Sequence, residues 1–282
     1  MTASPALIEY AATRLIDLQK AVSWQQFERW TRRYRRAVEH QVRVFFRKQE
    51  NEIIGNINAG KSIMKHIRDL AALKGPNQWL DMVKWQIIFE EYGQLFLPEV
   101  IGDKGQIEME QLLIGIDFDV ENPRVLAFIN QRSFRFSFDT NAGTQQALRD
   151  IFNASITAGE GVPEMTRRIN ELFTFKKRYQ AGQIARSEVI RASNFAAEQS
   201  YMQSGVVSKK QWLTSKDARV CPYCEPMQGR EVVLGMVFFQ RGDVLQNPDP
   251  ESVATLNLDY EDIFHPPLHV QCRCTLIPIL AA

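Results

Sequence analysis

The first 220 of the chain's 282 residues contain no cysteine, so whatever thiol chemistry the protein has is confined to its C-terminal end. No apolar run approaches the roughly 20 residues that a bilayer-spanning helix needs. Met1 to Tyr10 has no basic stretch followed by an apolar one, so no secretory signal is visible. Net charge is nearly absent: 34 Lys and Arg against 33 Asp and Glu leave +1, and no global basic field points to nucleic acid. Twelve Pro and 15 Gly are too few for a fibrous or low-complexity chain. What is present is 45% hydrophobic and 24% charged residues, enough for one large domain or two smaller ones. These limits predict a soluble, cytoplasmic, globular protein.

The pattern along the chain predicts an α+β fold with a mostly helical N-terminal half and a small β-rich C-terminal region. Ser23 followed by Gln26 reads as a capping box opening a long helix. Trp24, Phe27, Thr31, Tyr34, Val38 and Phe45 fall on one face of it, and Arg29, Arg32, Arg36, His40, Arg43 and Arg47 on the opposite face. Residues 1–50 hold ten Lys and Arg against five Asp and Glu. The bland reading of this stripe is a solvated helix face. The sharper one is a docking arm, in which Arg29, Arg32, Arg33, Arg36, Arg43 and Arg47 contact phosphates or an acidic partner. Gly75-Pro76-Asn77 breaks the pattern, and a second apolar helix is expected from about Trp79 to Leu97, ended by Pro98, Gly102 and Gly105. Asn122-Pro123 caps a short helix, and the alternation of Phe134, Phe136 and Phe138 argues for a strand. Helices then follow at about 140–158, from Pro163, and at about 176–203, the last with a small-residue face of Ala181, Ala185, Val189, Ala192 and Ala196. Strands are expected at 210–213, 231–239 and 275–280, with a polar loop at 247–261. A division at 1–139 and 140–282 follows.

All four cysteines lie in Cys221-x2-Cys224, then 44 residues, then His269-x2-Cys272-x-Cys274, with His265 just upstream. Clustered Cys and His in a chain with no sign of export read first as a metal or redox site. A C-x2-C turn is a common half-site for tetrahedral zinc, and a second segment completes the four ligands. Cys221, Cys224, His269 and Cys272 are the favoured set, with Cys274 as the substitute. The cysteines of Cys272-Arg273-Cys274 are expected to diverge if that segment opens a strand, so both need not reach one ion. Cys-Pro-Tyr-Cys is also a glutaredoxin tetrapeptide, but that chemistry needs a helix after the first cysteine, and Glu225-Pro226-Met227-Gln228-Gly229 reads as a turn. The zinc-deaminase pattern fails because neither His40 nor His66 has the required Glu and residue 220 is Val. No H-E-x-x-H is present, which leaves hydrolytic zinc without support. No residue stands out as catalytic.

Around this cluster lie Ile184-Ala185-Arg186-Ser187-Glu188-Val189, Asn194, Tyr201, Gly205 and Trp212. Thr214-Ser215-x-Asp217-x-Arg219-Val220-Cys221 follows, then Gly229, and Pro266-Pro267-Leu268-His269-Val270-Gln271-Cys272-Arg273-Cys274 closes the pattern. Over about residues 140–282 the chain resembles the phage Mu protein F-like family of minor head proteins. The family usually carries Pro where this chain has Val270. The resemblance implies a role rather than a reaction: a low-copy head-morphogenesis protein at the portal and inside the procapsid, with portal, major capsid or scaffolding proteins as partners. Packaged double-stranded DNA is a further implied partner, and the virion and host cytoplasm the implied locations. Some relatives carry a C-terminal toxin; with eight residues after Cys274 none is expected here. Arg186 and Glu188 are expected to form a structural ion pair beside the zinc module, and Asp217 and Arg219 to set the turn before the cysteine knuckle. The competing class is a zinc-stabilised nucleic-acid-processing enzyme of the H-N-H nuclease type. It would need an Asp-His pair near the knuckle, and neither His265 nor His269 follows an Asp.

Overall fold

The computed structural model describes residues 5–61, 79–215, 217, 219–249 and 251–281, without the side chains of residues 5–22, 60 and 61. The Gly75-Pro76-Asn77 break lies outside the described residues. Helix α1 (Pro5–Lys61) is followed by α2 (Met82–Gln111), α3 (Pro123–Thr157), α4 (Val162–Phe175), a five-residue π segment (Lys176–Gln180) and α5 (Ala181–Ser204). The strands are β1 (Val207–Leu213), β2 (Glu231–Val233), β3 (Val244–Gln246), β4 (Thr255–Asn257) and β5 (Thr275–Leu280). Among the described residues the chain is therefore mostly helical with small antiparallel sheets at its C-terminal end.

Several helix limits differ from expectation. Ser23 caps nothing; it lies inside α1, which has no Pro or Gly between Ala6 and Ile54 to stop it. Pro98, Gly102 and Gly105 do not end α2, which runs through all three. Gly105 is there for space: a Cβ on it would lie 2.4 Å from the Phe118 ring. The predicted strand at Phe134 to Phe138 is helix, part of α3. Phe134 and Phe138 are four residues apart and stack at 6.0 Å on the exposed side, while Phe136 turns inward against Phe89 and Phe96. The same three aromatics satisfy period 2 and period 3.6, and burial of Phe136 decides between them. Asn122 does cap α3, accepting from the Arg124 N–H at 3.0 Å with Pro123 in the first turn, but the helix is 35 residues long rather than short. The predicted β run at 231–239 keeps strand only at Glu231–Val233, and the loop at 247–261 contains β4.

The chain forms two compact units: Met1–Arg35, Val100–Val120 and Arg186–Ala282 make one, and Arg36–Glu99 and Glu121–Ala185 the other. The second unit is an aromatic helical core in which Phe45 meets Phe89 edge-on at 5.0 Å and Phe89 meets Phe136 at 5.6 Å. It also buries Lys176, the first residue of the π segment. Its ammonium donates to Gln180 Oε1 at 2.9 Å and lies 5.1 Å from the Phe46 ring, and burial pushes its pKa down to about 8. A lysine whose folded pKa falls below its unfolded value binds fewer protons folded than unfolded between those values, so stability should rise with pH from about 8 to about 10. The rise should be on the order of 2 kcal/mol. Urea midpoints at pH 8 and pH 10 check this, with Lys176→Met expected to be more stable at pH 8 and to lose the extra slope.

The first unit holds the sheets. The three-stranded sheet has the order β2-β1-β5, all antiparallel, with Trp212 opposite Leu276 and Gln211 opposite both Glu231 and Ile277. The outer edge of β5 is tied to α5: Asn194 Oδ1 accepts from the Leu276 N–H at 3.1 Å and the Thr275 hydroxyl at 3.0 Å, and its Nδ2 donates to the Cys274 carbonyl at 3.2 Å. Pro278 removes the next N–H along that edge, which disfavours pairing with another chain there. The unit's core gathers Trp212, Tyr201, Phe238, Leu258, Ile263, Leu268 and Leu276 with three of the four cysteines.

Candidate metal centre

The knuckle forms as a tight turn. The N–H groups of Cys224 and Glu225 both donate to the Cys221 carbonyl at 3.0 Å, and the Cys224 N–H also reaches Cys221 Sγ at 3.2 Å. A short 3-10 turn, Glu225–Met227, follows instead of a helix, so the first cysteine lacks the helix N-terminus that glutaredoxin chemistry requires. Gly229, at φ +79°, then returns the chain to β1, its N–H donating to the Trp212 carbonyl at 2.9 Å.

The second half-site is a turn closed by the Cys272 N–H donating to the His269 carbonyl at 3.2 Å, with Gln271 at φ +70°. Val270, exposed, does not prevent that turn. His269 Nδ1–H donates to the Val270 carbonyl at 2.7 Å, which fixes the tautomer and turns Nε2 toward the thiols. Nε2 lies 2.9 Å from Cys221 Sγ and 3.2 Å from Cys224 Sγ, and Cys224 Sγ is 3.8 Å from Cys272 Sγ.

Cys274 joins the cluster as well. Cys221, Cys224 and His269 form one group of donors within 4.8 Å of one another, and Cys224, Cys272 and Cys274 form another. The expectation that Cys272 and Cys274 diverge is thus corrected. In an extended chain residues two apart share a face, and it is Arg273 between them that points the other way. His265 stays outside both groups, its Nδ1–H donating to the Pro266 carbonyl at 2.8 Å and its ring edge-on to Phe195.

The electrostatics suit a cation. The hydrogen bond from Cys224 and the neighbouring His269 hold Cys221 down at about 4, and Cys272 is also lowered by hydrogen bonds from Cys224 and Cys274 against the effect of burial. Burial pulls His269 down, but the thiolates of Cys221 and Cys272 outweigh it and raise it to about 9. Without metal the cluster therefore mixes thiolates, thiols and imidazolium; a metal ion would replace those protons. Thiolates and imidazole in these two triads form a donor set suited to a metal such as zinc.

The surrounding motif residues brace the two half-sites. Asp217 accepts both guanidinium arms of Arg273, one at 2.8 Å, and also accepts from Arg219 at 2.7 Å and from the Arg219 backbone N–H at 3.1 Å. These bonds, that to Arg273 first, hold its carboxyl well below the usual carboxylate range. The Asp217 carbonyl accepts from the Val220 N–H at 3.1 Å in the turn before Cys221, and its side chain ties that turn to the segment between Cys272 and Cys274. Trp24 donates its indole N–H to the Arg273 carbonyl at 2.9 Å, bringing α1 to the same point. Arg186 donates to Gln271 Oε1 at 2.7 Å, and buried Glu188 lies 4.0 Å from Arg191. The roles of Arg273, Gln271 and Trp24 went unread, and only the position of Arg273 between two cysteines signalled one.

The basic stripe is also as exposed as its periodicity suggested at Arg29, Arg32, Arg36, Arg43 and Arg47. Arg33 is exposed but engaged with Asp103 at 2.9 Å, and Arg43 with Glu39. Elsewhere in the first unit, a cavity of about 740 Å³ is lined by Phe27, Trp30, Lys104, Gln211 and Ile277 among others. Its charged groups are engaged: Lys104 pairs with Glu108, which also accepts from the Tyr201 hydroxyl at 3.0 Å, and Glu231 accepts from Gln211 at 2.9 Å.

A family model described as Phage Mu protein F like protein matches residues 146–277, a span that includes all five cluster donors. The chain contains a Phage Mu protein F-like domain. A curated relative, "Uncharacterized protein YqbB" of Bacillus subtilis (strain 168), is 24% identical over 196 residues, which cover 68% of this chain and 60% of that protein. The match thus spans less than two thirds of that relative's length. No solved structure matches significantly. The Cys/His donors and their Asp217–Arg273 brace therefore lie within the F-like domain, while the basic stripe of α1 precedes it. No helix among the described residues is long and apolar enough to cross a membrane.

Proposed function

We propose that the protein is a non-enzymatic minor head component of a tailed phage, acting in head morphogenesis at the portal and in the capsid interior. The F-like domain over residues 146–277 carries this reading. Two features support it: the Cys/His donors come together from two separate turns, and the Asp217–Arg273 bonds join the segments that carry them, as around a structural clip. In this reading a structural zinc ion sits on Cys221, Cys224, His269 and Cys272, with Cys274 as the alternate. The exposed arginines of α1, in the helical region of residues 1–139, meet portal, capsid or scaffolding protein, or packaged DNA.

Mass spectrometry of density-purified particles, before and after DNA release, tests the role. The chain should be found at a few copies per particle, and its loss with the DNA would identify an ejected protein. Replacing Arg29, Arg32 and Arg36 by Glu should lower its incorporation severalfold while leaving its folded spectrum intact. Absence from both procapsids and finished particles would refute the minor-head reading.

A further inference from the structure

A four-coordinate ion needs four donors, yet five converge here, and they do not form one ring. They fall into two triads that meet only at Cys224. Building on the metal-clip reading above, we infer that the cluster is a two-ion site in which the Cys224 sulfur bridges an outer ion on Cys221 and His269 and an inner ion on Cys272 and Cys274.

Two observations carry this. The first is reach: Cys224 Sγ is close to donors on both sides, 3.2 Å from His269 Nε2 and 3.8 Å from Cys272 Sγ, so the shared position is its own and no other donor's. The second is charge. Four thiolates and a neutral imidazole around one divalent ion leave two net negative charges in a largely buried site, and a second divalent ion cancels them. Uncompensated buried charge costs several kcal/mol, so full thiolate ligation favours the second ion.

Burial distinguishes the two positions. Cys224, Cys272 and Cys274 are buried, and Cys221 and His269 are half-buried. The outer ion can complete its coordination with water, while the inner ion has an all-sulfur environment that selects soft ions such as Zn²⁺ or Cd²⁺. Each metal–sulfur bond formed at a thiol releases its proton to solvent.

Metal-stripped full-length protein titrated anaerobically with Cd²⁺ tests the inference, with native mass spectrometry counting ions and sulfur-to-cadmium charge-transfer absorption reporting thiolate ligation. Two ions per chain are expected, falling to one in Cys274→Ser. One ion in the wild type would overturn the inference and leave the single-ion clip standing. No bound ion would overturn both. Two ions in wild type and Cys274→Ser alike would put the second ion elsewhere and also overturn it. If Cys274→Ser does not fold, ¹¹³Cd NMR of the wild type decides: two mutually coupled resonances support a shared sulfur, and one resonance or two uncoupled ones refute it.

Discussion

Cys224→Ser should abolish tight metal binding and unfold the C-terminal part of the first unit, a larger effect than Cys221→Ser or Cys274→Ser. Structural zinc in small peptides contributes on the order of 10 kcal/mol, which sets the upper scale. The ranking follows from the geometry: Cys224 belongs to both donor triads and each of the other two cysteines to one. The loss is expected to spread because the cluster is not a surface ornament. Cys224, Cys272 and Cys274 are part of the same buried core as Trp212, Phe238 and Leu276. Trp212 is fully buried, so its emission should shift to the red when the metal is removed by chelation, and return on adding zinc. The second unit, with its own aromatic core, should keep its helices, so far-UV signal should fall less than tryptophan emission changes. Chelated protein that melts at the same temperature as untreated protein would sink the clip altogether.

Which of these features could be read in the residues alone is a matter of range. The cysteine spacing showed itself because ligands of one half-site are two or three residues apart, and β1 and β5 because each is a short run bounded by turn residues. The continuation of α2 through Pro98, Gly102 and Gly105 could not be seen, since Phe118 fills the space a side chain at Gly105 would need. Breakers are read by local propensity, and packing overrides it. Phe134, Phe136 and Phe138 fit two periods at once. The Asp217–Arg273 pair joins residues 56 apart in sequence, and nothing local announces it. The divergence expected of Cys272 and Cys274 was of a different kind. The two-residue period of an extended chain already puts them on one face, so the fifth donor was legible from the spacing and the inference from it ran the wrong way.

Lys210→Met should destabilise the first unit by about 3–5 kcal/mol, the usual result of leaving one member of a buried ion pair alone. Lys210 and Glu198 are almost wholly buried and bonded to each other. The ammonium also lies 5.6 Å from the rings of both Phe238 and Phe264. Burial raises the pKa of Glu198 and lowers that of Lys210, each partly offset by the other's charge. With Lys210 gone, the carboxylate loses its offset and its folded pKa rises further. An acid whose folded pKa exceeds its unfolded value binds more protons folded than unfolded between the two, so the variant should lose stability as pH rises from about 5 to 8. Glu198→Met added to Lys210→Met should recover most of the loss and remove that pH slope, because a matched apolar pair has no charge to strand. Urea unfolding at pH 5 and pH 8 checks both statements, and it should be run on metal-stripped as well as metal-loaded protein. Lys210 is two residues from Trp212 on β1, and β1 pairs with the β5 segment that begins directly after Cys274. Bound metal adds the same mass-action stabilisation to wild type and variant while their metal affinities are equal, so the single variant's deficit should be the same whether the cluster is loaded or empty. A deficit that differs between the two states would mean that the Lys210–Glu198 pair and metal binding at the Cys/His cluster are energetically coupled.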